Sequence, residues 1–288
     1  MIIFKTVAGL QHWLDNQRST GKTIGFVPTM GALHSGHLSL IEESRRRHPV
    51  TVCSIFVNPT QFNDTKDFEK YPVTIEQDCR MLEQQQTDII FLPRVAEMYP
   101  NGLTAKKHYD LGKLEGVLDG AFRPGHFQGV CQVVERLLQI VQPTELFLGQ
   151  KDFQQCLVIK RLVEIMAQQD GAVARPSVNI APTLREPDGL AMSSRNLRLS
   201  QTDRQIAPAI YQQLLQLKEN LPKIDFTILK QTAVQNLLNA GFVKVDYVEI
   251  ADAGNLELAN HFDPKTKFVA LIAAFVGEVR LIDNMILN

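Results

Sequence analysis

The chain has 288 residues, 44% of them hydrophobic and 21% charged, with 30 Lys and Arg against 31 Asp and Glu for a formal net charge of −1. That is the composition of an ordinary soluble globular protein, long enough for one large domain or two modest ones. The balanced charge argues against a dedicated nucleic-acid binder, "MIIFKTVAGL" lacks the layout of a signal peptide, and the longest apolar run, the nine residues 268–276, is far too short to span a membrane.

Residues 23–29, "TIGFVPT", read as a buried strand, and residues 36–47, "GHLSLIEESRRR", as the helix after it. The charge run at 45–47 closes that helix, where cations are favourable, and reads as a solvated face. Strand-like "VTVCSIFVN" (50–58) precedes helical "IEQDCRMLEQQQ" (75–86), and "DIIFLP" (88–93) is a further strand. In 129–141 the residues Val130, Val133, Val134, Leu137, Leu138 and Val141 form one helical stripe. "ELFLG" (145–149) and "DFQQCLVIKRLVEIMA" (152–167) repeat the strand–helix alternation. This predicts βαβ units and a parallel sheet with right-handed crossovers.

The pattern changes after about residue 180. Ser200 with Asp203 resembles a capping box, and Pro208 predicts a kink or a late helix start. Residues 220–225 break the pattern, and 226–241 read as a helix closed by Gly241. Three strands follow, at 243–252, 267–276 and 278–284, the last two joined by a tight hairpin. The expected fold class is therefore α/β over residues 1–180, followed by a smaller α+β domain over 181–288. Cys53, Cys79, Cys131 and Cys156 are widely spaced and read as reduced thiols of a cytoplasmic protein, not as a disulfide frame or zinc site.

In open α/β sheets ligands bind beyond the carboxyl ends of the strands. The unusual polar segments fall there: "PTMGALHSGH" after the first strand, "NPTQF" after the second and "GQKDFQQ" after the strand at 145–149. A helix starting near Gly36 offers free N–H groups and a positive dipole end to an anion, and His34 and His37 lie one turn apart. By themselves they are also readable as two solvated residues at a helix start. A zinc site would need further ligands at fitting spacing, and none is evident. Lys151 suits phosphate, and Asp152 a helix cap or a ribose hydroxyl. "LAMSSRN" brings hydroxyls and a guanidinium between the two domains, a set suited to polyphosphate. Arg123 and His126 in "RPGHFQGV" either face the cleft or simply flank a Pro124-Gly125 turn.

"HSGH" fits the H-x-G-H signature of the nucleotidylyltransferase superfamily, and "MSSR" resembles its second signature loop. With "FVNPTQF", "RPGHFQGV", "GQKDFQQ" and "DGLAMSSRN" in this order and spacing, the chain resembles the pantoate–β-alanine ligase family from about residue 20 to 200. The resemblance implies a Rossmann-like first domain and a second domain that forms a lid over ATP. It implies condensation of (R)-pantoate with β-alanine through pantoyl adenylate, giving pantothenate, AMP and pyrophosphate.

By the same resemblance Met30, Gly31, Ala32, Leu33, His34, Ser35, Gly36 and His37 form an ATP loop, with His37 as proton donor. Gly149, Gln150, Lys151 and Asp152, then Met192, Ser193, Ser194 and Arg195, also hold ATP, and Leu184 sits near the adenine. His34, His37, Lys151 and Arg195 carry the chemistry. Gln61 and Gln155 bind pantoate, Gln61 also bordering β-alanine; amides serve both a hydroxyl and a carboxylate. ATP is a substrate, accompanied by Mg²⁺, and no nucleic-acid or membrane partner is implied. A cytoplasmic homodimer is.

Two departures stand out. Tyr71-Pro72 is followed by Val73 where the family often has arginine. Glu76 and Asp78 flank Gln77, which thins the acidic residues expected there, so Mg²⁺ is expected to be held mainly by the phosphates and not by protein ligands. Two rival readings are an adenylyl transferase for a different acid or nucleotide, and a module that senses nucleotide without turnover.

Overall fold

The computed structural model describes residues 1–288 apart from 64, 104–106, 170–174 and 222; Pro222, in the expected break at 220–225, thus lies outside the described residues. The larger sheet is parallel throughout and consists of β1 (Ile2–Phe4), β2 (Ile24–Thr29), β3 (Val50–Ile55), β4 (Ile89–Phe91), β5 (Glu145–Gly149) and β6 (Ser177–Ala181). Their order is β1-β4-β3-β2-β5-β6. The chain moves outward from β2 through β3 to β4, then returns to place β5 on the other side of β2. The sheet order therefore reverses between β2 and β5, which makes that gap the switch point where α/β sheets bind ligands.

Side-chain alternation sends each strand into both faces. Phe26, Val52, Ile89 and Phe91 pack under the helices Val7–Ser19 and His126–Val141, while Val27, Cys53, Ile90 and Phe147 pack against Ser35–Arg47 and Ile75–Gln84. Burial on both faces explains why β2 and β3 read as continuous apolar runs. Pro28, which has no N–H to donate, lies near the end of β2, and the β2–β5 ladder stops before it, at Phe26↔Leu146. The strands part there, and the crevice opens.

The second sheet is antiparallel: β7 (Lys244–Asp252), β8 (Phe268–Val276) and β9 (Val279–Ile286). Its helices, Ala209–Asn220 and Phe226–Ala240, bury Leu214 and Leu237 against Ile250, Phe268 and Ile272. The opposite face packs Val269, Leu271 and Ala273 on Leu118, Phe153 and Leu157 of the first unit. Strand β8 is thus covered on both sides, which accounts for its unbroken apolar sequence.

The expected capping bond is present, with Ser200 Oγ accepting from Asp203 N at 3.1 Å. Pro208 separates Gln201–Ile206 from Ala209–Asn220, and Gly241 ends its helix with φ +109°. Besides short helices and turns such as Val95–Met98 and Asp119–Phe122, three longer or sheet-forming elements had no counterpart in the sequence pattern. Strand β1 has three residues, the helix Val7–Ser19 buries only Leu10 and Leu14, and edge strand β6 is at most half-buried, so each carries a faint apolar pattern. Several boundaries also move, among them the start of the helix expected at 129–141, which begins at His126, and the strand expected at 88–93, which is Ile89–Phe91. The strand expected to 58 ends at Ile55, and the helix expected from Asp152 begins at Phe153 after a 3₁₀ turn, Gln150–Asp152.

Candidate active site

The loop after β2 turns sharply. Gly31 and Ala32 both have positive φ, +81° and +48°, a region that disfavours any residue with a Cβ. What holds it there is Asp78, buried on the helix Ile75–Gln84. Its carboxylate accepts from Ala32 N at 2.9 Å, Leu33 N at 2.8 Å and Thr74 Oγ1 at 3.0 Å. The sequence reading set Asp78 beside a possible magnesium contact; its oxygens instead serve the backbone. Thr29 Oγ1 accepts from Gly31 N at 3.2 Å and donates to Ser54 O at 2.7 Å, tying the loop to β3.

The helix Ser35–Arg47 then starts with a capping box made of imidazoles. His34 Nδ1 accepts from Gly36 N at 3.2 Å, and His37 Nδ1 accepts from His34 N at 3.3 Å. The ring centroids lie 4.0 Å apart. Gly36 leaves room for this arrangement, since a Cβ there would crowd His34 Nδ1 and Cε1 at 3.0 Å. Burial, followed by the Lys151 charge, lowers the His34 pKa to about 4; burial, followed by His34, lowers that of His37 to about 3. Both rings are neutral near pH 7. With Nδ1 accepting, the proton of each sits on Nε2.

Beyond β5, Lys151 Nζ stands 3.5 Å from Asp152 Oδ1. Burial opposes ionisation of Asp152, but Lys151 and Arg195 outweigh it and hold the carboxyl below its ordinary range. Beyond β3, Asn58 Nδ2 donates to Gln61 Oε1 at 3.3 Å and Gly129 O at 3.2 Å, and Gln61 Nε2 lies 2.9 Å from Met30 Sδ. His126 Nδ1 donates to Gln61 O at 2.7 Å, so its Nε2 accepts from Arg123 Nη1 at 3.1 Å. Burial, then Arg123, lowers His126 to about 4, and burial lowers Arg123 to about 10. Both readings of "RPGHFQGV" hold: Gly125 turns with φ +79°, and Arg123 and His126 face the cleft.

The segment 192–195 comes from the other side. Ser194 Oγ donates to Ala32 O at 2.9 Å. Arg195 and Arg198 share Asp67, at 2.9 and 2.6 Å. Burial pushes the Asp67 carboxyl up, but the two guanidiniums win and hold it low. Asp67 was not singled out from sequence; its partners lie 128 and 131 residues away.

These segments enclose a cavity of about 230 Å³ lined by His34, His37, Gln61, Lys151, Gln155 and Arg195 among others. Met30, Gly36, Gly149, Asp152, Leu184, Met192, Ser193 and Ser194 also line it. A second cavity of about 630 Å³, toward the antiparallel sheet, shares Arg123, Lys151, Asp152, Ser193 and Arg195 with it. The remaining expected residues support the site from outside. Gly31 and Ala32 line a separate depression with Asp78, Leu33 is buried beneath, Ser35 is exposed, and Gln150 bonds to Asn284. Among the described residues no group of three or more His, Cys, Asp or Glu is placed to hold a metal ion, and no helix is long and apolar enough to cross a membrane.

A family model described as pantoate-beta-alanine ligase matches residues 2–286. Similar proteins named pantothenate synthetase include one from Thermotoga petrophila, 44% identical with 100% of each chain covered, and one from Porphyromonas gingivalis, 42% identical with 99% of each covered. The solved pantothenate synthetase of Thermus thermophilus is 38% identical, with TM-score 0.89 and 99% of each chain covered. A pantoate-beta-alanine ligase from Francisella tularensis, complexed with beta-gamma ATP and beta-alanine, is 35% identical, with TM-score 0.82 over 99% of this chain and 97% of that one. Matched from end to end by the family model and by relatives of this identity, the chain belongs to the pantoate–β-alanine ligase family.

Proposed function

We propose that this chain joins (R)-pantoate to β-alanine at the expense of ATP, giving pantothenate, AMP and pyrophosphate. The observation that carries the reading is convergence. His34, His37, Lys151 and Arg195, from three distant segments, surround one cavity at the switch point, with Gln61 and Gln155 on its wall. In the first step a pantoate carboxylate oxygen attacks the α-phosphorus, the bond to the bridging oxygen breaks, and pyrophosphate leaves. In the second the β-alanine amine attacks the acyl carbon, AMP departs, and the amine proton is released. Neither step calls for a nucleophilic side chain. Both call for positioning and for neutralising charge that builds on phosphate oxygens.

The roles follow. His34 and His37 present neutral Nε2–H donors to the phosphates, Lys151 and Arg195 supply positive charge, Met192, Ser193 and Ser194 close over ATP, and Leu184 flanks the base. Gln61 and Gln155 hold pantoate. Lys70, Lys151, Arg195, Arg198, Lys244 and Arg280 line the two cavities and each stands within 4.0 Å of a carboxylate. Arg123, which lines both, has no such partner among the described residues, so a substrate carboxylate is its natural counter-ion. Mg²⁺ belongs with ATP and is held mainly by the phosphates, because Asp78 is already engaged by Ala32, Leu33 and Thr74. We take residues 181–288 as the lid domain of a cytoplasmic homodimer.

The test is pantoate-dependent ATP–pyrophosphate exchange in the absence of β-alanine, then AMP formation with all three substrates. Exchange supported by another acid but not by pantoate would replace the substrate. ATP binding with neither exchange nor AMP formation would leave a nucleotide sensor.

A further inference from the structure

The 3₁₀ turn Gln150–Asp152 is gripped from behind by the antiparallel sheet. Asn284, on β9 and 2% exposed, donates through Nδ2 to Gln150 O at 2.9 Å and to Lys151 O at 2.8 Å, while its Oδ1 accepts from Gln150 Nε2 at 3.1 Å. Each capacity used here belongs to an amide; aspartate would set an oxygen against two carbonyls. Asn284 is itself fixed. Its N–H donates to Asp283 Oδ1 at 2.8 Å, and Arg185 grips Asp283 through two bonds of 2.6 and 3.0 Å. Arg185 also donates to Asn284 O at 3.3 Å and lies over the Tyr211 ring, 4.2 Å from its centroid.

From this geometry we infer that Asn284 is a positioning residue for Lys151. The inference rests on the role proposed for Lys151 above. A lysine ammonium sits on a flexible stem with four carbons, so its placement depends on a backbone that cannot shift. Lys151 lines both cavities, while the carbonyls of Gln150 and Lys151 are held by an amide from the far lobe. Buried ion pairs such as Arg185–Asp283 seldom repay their desolvation in stability. Burial pushes the Asp283 carboxyl up even against Arg185. Holding geometry, more than adding stability, is the role such a buried network fits.

The test is a double-mutant cycle on the rate of pantoate-dependent exchange. Asn284→Ala is expected to lower kcat of adenylation by about 10- to 100-fold, the scale of an ångström of misplacement, with KM for ATP changed less than about threefold. In a Lys151→Ala background, read by single turnover, the same substitution is expected to change the residual rate less than about twofold. Tyr109→Phe, which removes the buried bond to Glu135 remote from the cleft, serves as the control: it lowers the thermal midpoint without changing kcat. Should Asn284→Ala not fold, Asp283→Asn loosens the same clamp and carries the same expectation. An equal loss of rate with and without Lys151, or no loss at all, overturns the inference. Absence of pantoate-dependent exchange in the unsubstituted protein overturns the functional reading and this inference with it.

Discussion

Replacing Asp78 by asparagine keeps the shape of the side chain and removes its charge. The carboxylate holds Ala32 N and Leu33 N through separate oxygens, 2.9 and 2.8 Å away. The amide retains one acceptor, so its NH₂ confronts the second N–H. One charge-assisted bond is lost and a buried donor is orphaned, a change of about 2–4 kcal/mol. That is a fraction of the 5–15 kcal/mol typical of a folded domain, so Asp78→Asn is expected to fold at 25 °C. The loop, however, is what Asp78 holds at φ +48°, where a non-glycine residue is strained by roughly 1–2 kcal/mol. With the anchor weakened, Ala32 relaxes and carries His34 and His37 with it. Urea unfolding should report the stability loss, and pantoate-dependent exchange should fall by about 100-fold. The decisive arm is magnesium. If raising Mg²⁺ restores exchange, Asp78 is a metal ligand and the reasoning fails; full activity at ordinary Mg²⁺ refutes it equally.

His37→Ala and Lys151→Ala should each cut exchange by orders of magnitude, but they differ in stability. The first removes the acceptor for His34 N and should cost about 1 kcal/mol as a lost cap, whereas Lys151→Ala should leave the thermal midpoint nearly unchanged; collapse of the fold in either would mark a structural role. The histidines also set a pH dependence. In the fold they resist protonation until about pH 4 and about pH 3, against 6.5 in an open chain. Below 6.5 the unfolded chain therefore binds more protons, so their contribution to stability is whole above that pH and is lost progressively as pH falls toward those values. Long-range ¹H–¹⁵N spectra should show both rings as Nε2–H tautomers from about pH 8 to about pH 5.5, and a titration of either near 6.5 contradicts this.

The polar loops at strand ends were legible because each signal is local. A strand, a turn and a helix start fall within a dozen residues, and the H-x-G-H spacing encodes the capping box itself. The continuous apolar run 268–276 marked a strand buried on both faces for the same reason. The roles of Asp78, Asp67 and Asn284 were not legible, since the groups they hold at the site lie 45 or more residues away. No local periodicity encodes such pairs. A clue was nonetheless present at the C-terminus: adjacent Asp283 and Asn284 interrupt the apolar stretch "LIDNMI" of β9, and a polar pair buried in a strand needs partners. β1 and β6 were missed because edge strands of three and five residues carry too few alternations to stand out.

The capping box also bears on how His37 acts. Its Nδ1 is taken by a backbone N–H, and burial, then His34, disfavours an added proton even against the nearby Asp152 charge. A ring in that state gives a hydrogen bond from Nε2 without giving up the proton. To transfer one it must first be protonated, and Nδ1 would then lose its acceptor role at the helix start. Pyrophosphate already leaves as a stable anion, so what its departure needs is charge stabilisation. On the function proposed above, two fixed Nε2–H donors beside Lys151 and Arg195 supply that at neutral pH. The resemblance names His37 a proton donor; the geometry favours a fixed hydrogen-bond donor, and the spectra that assign its tautomer in the ATP complex decide between the two.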